Sequence, residues 1–232
     1  MPHRTTAPYP LQQVSSFQEL VNTPFQGEIN AICWPRVLPG NFAEIVQQVH
    51  LHQPIEELSE AQLLSMALSP AGQQARDILL QDLHLLQAHG AQPVLNLIQY
   101  YEEEEPESLF PTDVYSYHVD RSPVPTDTIL CTYYGDASEL LPHAQAEQKV
   151  LVPEIRAALW EQYTGAPQDF EAYLAEHFYD LHYRAKPQAL PTRLGLGHLC
   201  RLAVDYPGSP VLPCIHRAPR EHSGLTRLLL IC

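Results

Sequence analysis

The chain has 232 residues, 45% of them apolar, enough to bury a sizeable core in one large domain or two small ones. Its 27 acidic and 13 basic residues leave a formal net charge of −14. That balance argues against a nucleic-acid backbone or an anionic membrane surface as the main partner, since both are bound by clustered Lys and Arg.

Residues 1–28 are polar and proline-bearing and read as a loosely ordered lead-in. A short apolar segment at 29–34 reads as a strand. Phe42, Ile45, Val46 and Val49 then recur at helical spacing. Ser59-Glu60-Ala61-Gln62 opens a second helix in the manner of a capping box. A third helix over 73–88 carries Ile78, Leu79, Leu83 and Leu86, and Gly90 stands where its C-cap is expected. The span 42–90 is therefore a helical layer. From Gln92 the character changes. A strand is expected at 94–100, a solvated acidic turn at Glu102-Glu103-Glu104-Glu105, a strand at 114–120, a turn at 121–125 and a third strand at 128–134. A helical insert covers 153–184, with Pro187 and Pro191 closing it. Strands resume at 194–204, where Gly195-Leu196-Gly197 marks a bend, and then at 211–217 and 226–231. No internal repeat is present.

Short strands with turn signals between them indicate a β-sandwich or jelly-roll barrel. The fold class expected is α+β: residues 29–232 form one domain, a double-stranded β-helix (jelly-roll, cupin-like) core with N-terminal helices and a helical insert. The insert offers a lid or a two-fold surface, so a homodimer is an expectation. The five cysteines, Cys33, Cys131, Cys200, Cys214 and Cys232, are far apart and include no C-x-x-C pair. Neither a disulfide framework nor a thiolate zinc site is expected from them, and a reducing compartment fits. The N-terminus lacks a signal-peptide core and no apolar run approaches the ~20 residues that span a bilayer. A soluble cytoplasmic protein follows as the expectation.

The most informative motif is His118-Val119-Asp120. Alternation along a strand points His118 and Asp120 to the same side. With His216 downstream they make two imidazoles and one carboxylate, a set that takes one face of an Fe(II) coordination sphere and leaves positions open. Other readings stand beside this one. Asp120 could cap the Arg121-Ser122-Pro123 bend, and His216 could be a satisfied core histidine, since alternation puts Leu212, Cys214 and His216 on one face. Arg227 shares its strand face with Leu229 and Ile231, so its guanidinium points either into an apolar interior, where it needs an anion, or outward to a surface acid. Tyr115, Tyr117 and Thr132 are pocket-lining candidates. Cys131 and Cys214 read as buried, unreactive thiols. His143, His198 and His222 are substitute ligands without a persuasive partner. No G-x-S-x-G, P-loop or G-x-G-x-x-G pattern is present.

Five segments together resemble an uncharacterised bacterial family, domain of unknown function 1826. They are Ala31-Ile32-Cys33-Trp34-Pro35-Arg36, Tyr117-His118-Val119-Asp120, Leu130-Cys131-Thr132-Tyr133-Tyr134-Gly135, Cys214-Ile215-His216-Arg217-Ala218-Pro219 and Thr226-Arg227-Leu228-Leu229-Leu230. A more distant resemblance is to the Fe(II)/2-oxoglutarate dioxygenases, whose pattern of H-x-D, distal His and a following Arg is matched by His118, Asp120, His216 and Arg227. That resemblance implies Fe(II) on the first three residues and 2-oxoglutarate on Arg227, with Tyr117 and Thr132 beside it. The expected function is a metal-dependent oxygenase that hydroxylates a small molecule. The alternatives are a non-catalytic cupin-like protein that binds a metal or small molecule, and a Zn or Mn isomerase or hydrolase.

Overall fold

In the computed structural model the described residues are 11–102, 110–220 and 226–232, and they form two β-sheets and six α-helices. The first elements are β1 (Leu11–Gln13), α1 (Phe17–Asn22) and β2 (Ala31–Trp34), with β1 parallel to β2. Ser16 caps α1 by accepting from the Glu19 amide, and Leu20 is fully buried. Residues 11–22 are therefore ordered elements, which corrects the loose lead-in expected over 1–28. The composition misleads there because β1 is an edge strand and α1 buries only Leu20. Residues 1–10 lie outside the described residues.

The helical layer follows as α2 (Phe42–Gln48), α3 (Glu60–Ser65) and α4 (Pro70–Ala88), with β3 (Ile55–Glu57) between the first two. The expected capping box opens α3: the Ser59 hydroxyl accepts from the Gln62 amide while the Gln62 side chain accepts from the Ser59 amide. Ser69 caps α4, and Pro70 supplies the fixed φ of its first turn, so the helix starts three residues before the expected position. Its end is a Schellman turn, with Gly90 at φ +93° and the Ala91 amide donating to the Leu86 carbonyl at 3.0 Å.

The larger sheet is completed by β4 (Val94–Ile98), β6 (Asp127–Tyr134), β11 (Leu199–Ala203) and β13 (Arg227–Ile231), in the order β1-β2-β11-β6-β13-β4-β3. The smaller contains β5 (Tyr117–His118), β7 (Glu139–Leu140), β8 (Ala146–Gln148), β9 (His182–Ala185), β10 (Thr192–Arg193) and β12 (His216–Arg217), in the order β10-β7-β12-β5-β9-β8. Ile129, Cys131, Tyr133, Leu228 and Leu230 pack under the helices with Leu79, Leu83 and Leu86, whereas Leu130, Leu202 and Leu229 pack between the sheets with Leu140 and Cys214. Burial on both faces explains why every residue of β11 is buried instead of every second one. The insert folds as α5 (Pro153–Gln162) and α6 (Phe170–Glu176), whose Leu159, Phe170 and Leu174 form a small core with Phe110 and Val150.

Several expected strands are shorter. Of 114–120 only Tyr117–His118 pairs in the sheet, because the Asp113 carboxylate accepts from the Tyr115 and Ser116 amides and turns the chain just before it. Of 211–217 only His216–Arg217 pairs; Leu212 is exposed and does not share the buried side of Cys214 and His216. The helical insert ends early, and 182–185 is strand β9. Cys33 and Cys200, directly opposed on β2 and β11, form a disulfide across 167 positions of chain. The spacing of the cysteines along the chain held no signal of this pairing. Among the described residues no helix is long and apolar enough to cross a membrane.

Candidate metal centre

In the smaller sheet, register sets His216, His118 and His182 directly opposite one another on β12, β5 and β9. Directly opposed residues on neighbouring strands share a face. Leu140, opposite His216 on β7, packs in the core between the sheets, so this row of imidazoles faces inward. Tyr117 is one position away and points to the opposite face of the sheet, where it is buried with Leu141 and Ile215. Its ring lies 4.3 Å under the Arg217 guanidinium and its hydroxyl donates to Glu139. That corrects the expectation of Tyr117 beside a bound cofactor: the pleat that points His118 inward sends Tyr117 the other way.

Asp120 lies on the His118 side, as the spacing predicts. Its carboxylate is 3.9 Å from His118 Nε2 and 3.7 Å from His216 Nε2. One ligand atom from each of the three residues falls within 4.8 Å of the others. The outer edges of both rings are anchored. His118 Nδ1 is 2.8 Å from the Ser116 carbonyl and His216 Nδ1 is 3.1 Å from the Cys214 carbonyl. A carbonyl only accepts, so in the neutral rings Nδ1 carries the proton and Nε2 presents a lone pair. Two lone pairs and a carboxylate then lie close together, an arrangement that a cation would satisfy. Backbone-fixed Nδ1–H groups of this kind are how metal-ligating histidines are oriented.

The third group is anchored as well. Thr128 on β6 donates its hydroxyl to Asp120 Oδ2 at 2.5 Å, and the Asp205 amide donates to the Asp120 carbonyl at 2.8 Å. Burial would raise the Asp120 pKa, but His216, the Thr128 hydroxyl and His118 outweigh it and hold the carboxyl below its usual range. Burial first, and the neighbouring His216 ring second, push His118 down to about 4. Sequence reasoning missed Thr128, which lies eight positions from Asp120 on another strand.

Arg227 is 2% exposed and shares the inner face of the larger sheet with Leu229. Its guanidinium donates to the Thr132 hydroxyl on β6 at 3.2 Å and to the Ser138 hydroxyl, just before β7, at 2.8 Å. It therefore bridges the space between the sheets, and Ser138 precedes by two positions the Leu140 that pairs with His216. Thr132 is inward and buried as expected, and Ser138 had no signal in the sequence. Gly135 makes this approach possible. At φ +85° it lies so close to the start of β13 that a Cβ would come 2.8 Å from the Thr226 carbonyl.

Other candidates fall away from the centre. His143 bonds the Pro213 carbonyl at 2.7 Å, His198 stacks against Gly195, and His222 lies outside the described residues. Tyr115 is buried and accepts from the Tyr101 amide. Cys131 and Cys214 are fully buried, and burial pushes the Cys131 thiol up to about 12. His182, missed because it falls inside the expected helical insert, lines a cleft of about 340 Å³ together with His118, Asp120, Asp113, Phe178 and Leu181. A larger cleft of about 710 Å³ runs along α4 beside Trp34 and Arg36, but the Arg36 guanidinium there is already held by both Asp82 oxygens at 2.7 Å. No family model, no curated protein and no solved structure matches this chain, so the chemistry of the centre is read from its own geometry.

Proposed function

We propose that this protein is a metal-dependent oxygenase on a double-stranded β-helix core, using Fe(II) and 2-oxoglutarate to hydroxylate a small molecule. The observation that carries the reading is the convergence of His118, Asp120 and His216, with both imidazole Nδ1 atoms committed to backbone carbonyls. Two histidines and one carboxylate leave positions open on a six-coordinate ion, the donor set of non-haem Fe(II) oxygenases. The jelly-roll assignment is supported by the winding. From β4 to β7, and again from β10 to β13, successive strands alternate between the larger and the smaller sheet.

His118, Asp120 and His216 would hold the metal, which when bound supplies oxygen activation. Arg227, with its planar fork facing the space between the sheets, would hold a carboxylate of 2-oxoglutarate, exchanging its hydroxyl partners on Thr132 and Ser138 for a charged one. Leu130, Leu229 and Cys214 surround that space with apolar groups and exclude water from it. Thr128 keeps the Asp120 carboxylate aimed at the metal.

The test is anaerobic loading with Fe(II), metal analysis, and conversion of 2-oxoglutarate to succinate in air. Stoichiometric iron and succinate formation are expected, and His118→Ala should lose both. Metal uptake without succinate would overturn the oxygenase reading in favour of a metal-binding protein. Unchanged metal content in the variant would remove His118 from the centre.

A further inference from the structure

The row of imidazoles extends beyond the two that face Asp120. His182 on β9 is opposed to His118, with ring centroids 5.8 Å apart, and is only 4% exposed. Its Nδ1 is buried and has no hydrogen-bond partner among the described residues. A neutral imidazole carries one proton. On Nδ1 that proton would be stranded without an acceptor, at a cost of about 1–3 kcal/mol. On Nε2, the other ring nitrogen, it can reach an acceptor in the cleft that His182 lines. The residues whose ligand atoms lie within 4.8 Å of one another are His118, Asp120 and His216, without His182, so the third imidazole stands beside the centre and is not one of its ligands.

The same cleft carries a second unusual residue. Phe178 is 59% exposed and adopts φ +60°, a left-handed conformation that costs a non-glycine residue about 1–2 kcal/mol. It lines the cleft with Leu181 and His182. The cleft volume suits a small organic molecule and not a macromolecule.

We propose that His182 is a substrate-contacting residue of this centre: its Nε2–H donates to an oxygen of a small molecule bound in the cleft beside His118 and Asp120, while Phe178 packs on that molecule's apolar part. The substrate class is then a compact molecule with a hydroxyl, carbonyl or carboxylate oxygen next to an apolar or planar body. This inference rests on the metal-centre reading above.

Its test uses the full chain loaded with Co(II), with acetohydroxamate and benzohydroxamate as oxygen-bearing probes followed by visible absorption. His182→Leu should keep Co(II) affinity and thermal stability while weakening both probes by about tenfold or more, the loss of one hydrogen bond to a charged acceptor. His182→Gln, which returns an N–H near the Nε2 position, should restore most of the affinity. Phe178→Ala should weaken benzohydroxamate about threefold or more and leave acetohydroxamate unchanged. Probe affinity unchanged in His182→Leu overturns the inference. So does loss of Co(II) in that variant, which would make His182 a ligand, and so does wild-type protein that takes Co(II) but no probe. An unselective Phe178→Ala removes Phe178 from the contact. Wild-type protein that takes no Co(II) overturns the metal centre itself and this inference with it, which separates the two failures.

Discussion

Replacing Thr128 with Val tests whether Asp120 is held for a metal. The substitution removes one hydroxyl, keeps the branched shape and retains the strand preference of β6. The bond lost is the 2.5 Å donation to Asp120 Oδ2. A hydrogen bond to a charged acceptor contributes about 1.5–3 kcal/mol, and about 1.4 kcal/mol is a factor of ten. The full effect on metal affinity would thus be roughly 10- to 150-fold. The Asp120 side chain is 35% exposed, so water replaces part of what Thr128 supplied. The expected loss is therefore near the lower end, about tenfold, which agrees with the 10- to 100-fold typical of groups that orient metal ligands. The assay is competition for Co(II) against a chromophoric chelator at fixed pH, with Asp120→Ala as the reference for loss of the ligand. If Thr128→Val binds within twofold of wild type while Asp120→Ala loses the metal, Thr128 does not orient the carboxylate and the reasoning fails.

Two further outcomes concern the frame around the centre. Asp82 is 2% exposed and accepts two bonds from Arg36 and one from Tyr133. Asp82→Ala leaves a buried guanidinium uncompensated, so a loss of about 3–5 kcal/mol is expected in denaturant titration, and Arg36→Met with Asp82→Leu should recover much of it. A loss below about 1 kcal/mol would show that the pair is not buried in solution. The second outcome is the acid limb of the metal-free protein. His118 and His182 fall to about 4 and about 3 from an ordinary 6.5, so on acidification the unfolded chain takes up protons before the fold does. Stability is therefore present above pH ~6.5 and lost as pH falls from there through about 4 for His118 and about 3 for His182, by a few kcal/mol in all because the two rings interact. Thermal melts should show Tm level between pH 7 and 8 and dropping below about 6.5, with a shallower drop in His182→Leu. A Tm that stays flat in that acid window would contradict the burial of these rings.

Parts of the molecule follow from contacts between near neighbours in the chain. The Ser59 capping box, the Gly90 turn and the helical face of Leu79, Leu83 and Leu86 are set within a few residues, and the structure has them where the sequence places them. The shared side of His118 and Asp120 is equally local, because a two-residue repeat decides it, whereas the repeat groups Arg227 with Leu229 and Ile231 and leaves the inward or outward choice to the fold. The same repeat, applied to its neighbour, turns Tyr117 to the opposite face of the sheet, a consequence of placing His118 toward the larger sheet.

What only the tertiary structure decided is which distant segments meet. Nothing near His216 specifies that it opposes His118, nothing near His182 marks it as strand instead of helix, and nothing near Cys33 selects Cys200. Those pairings come from strand register, which is settled by burying apolar faces between two sheets over long chain separations. The sequence by itself thus carried the donor types and the shared side of His118 and Asp120. The register of β12, β5 and β9 brought them to one place, because a side chain's direction depends on its own backbone, whereas its neighbour across a sheet depends on the whole fold.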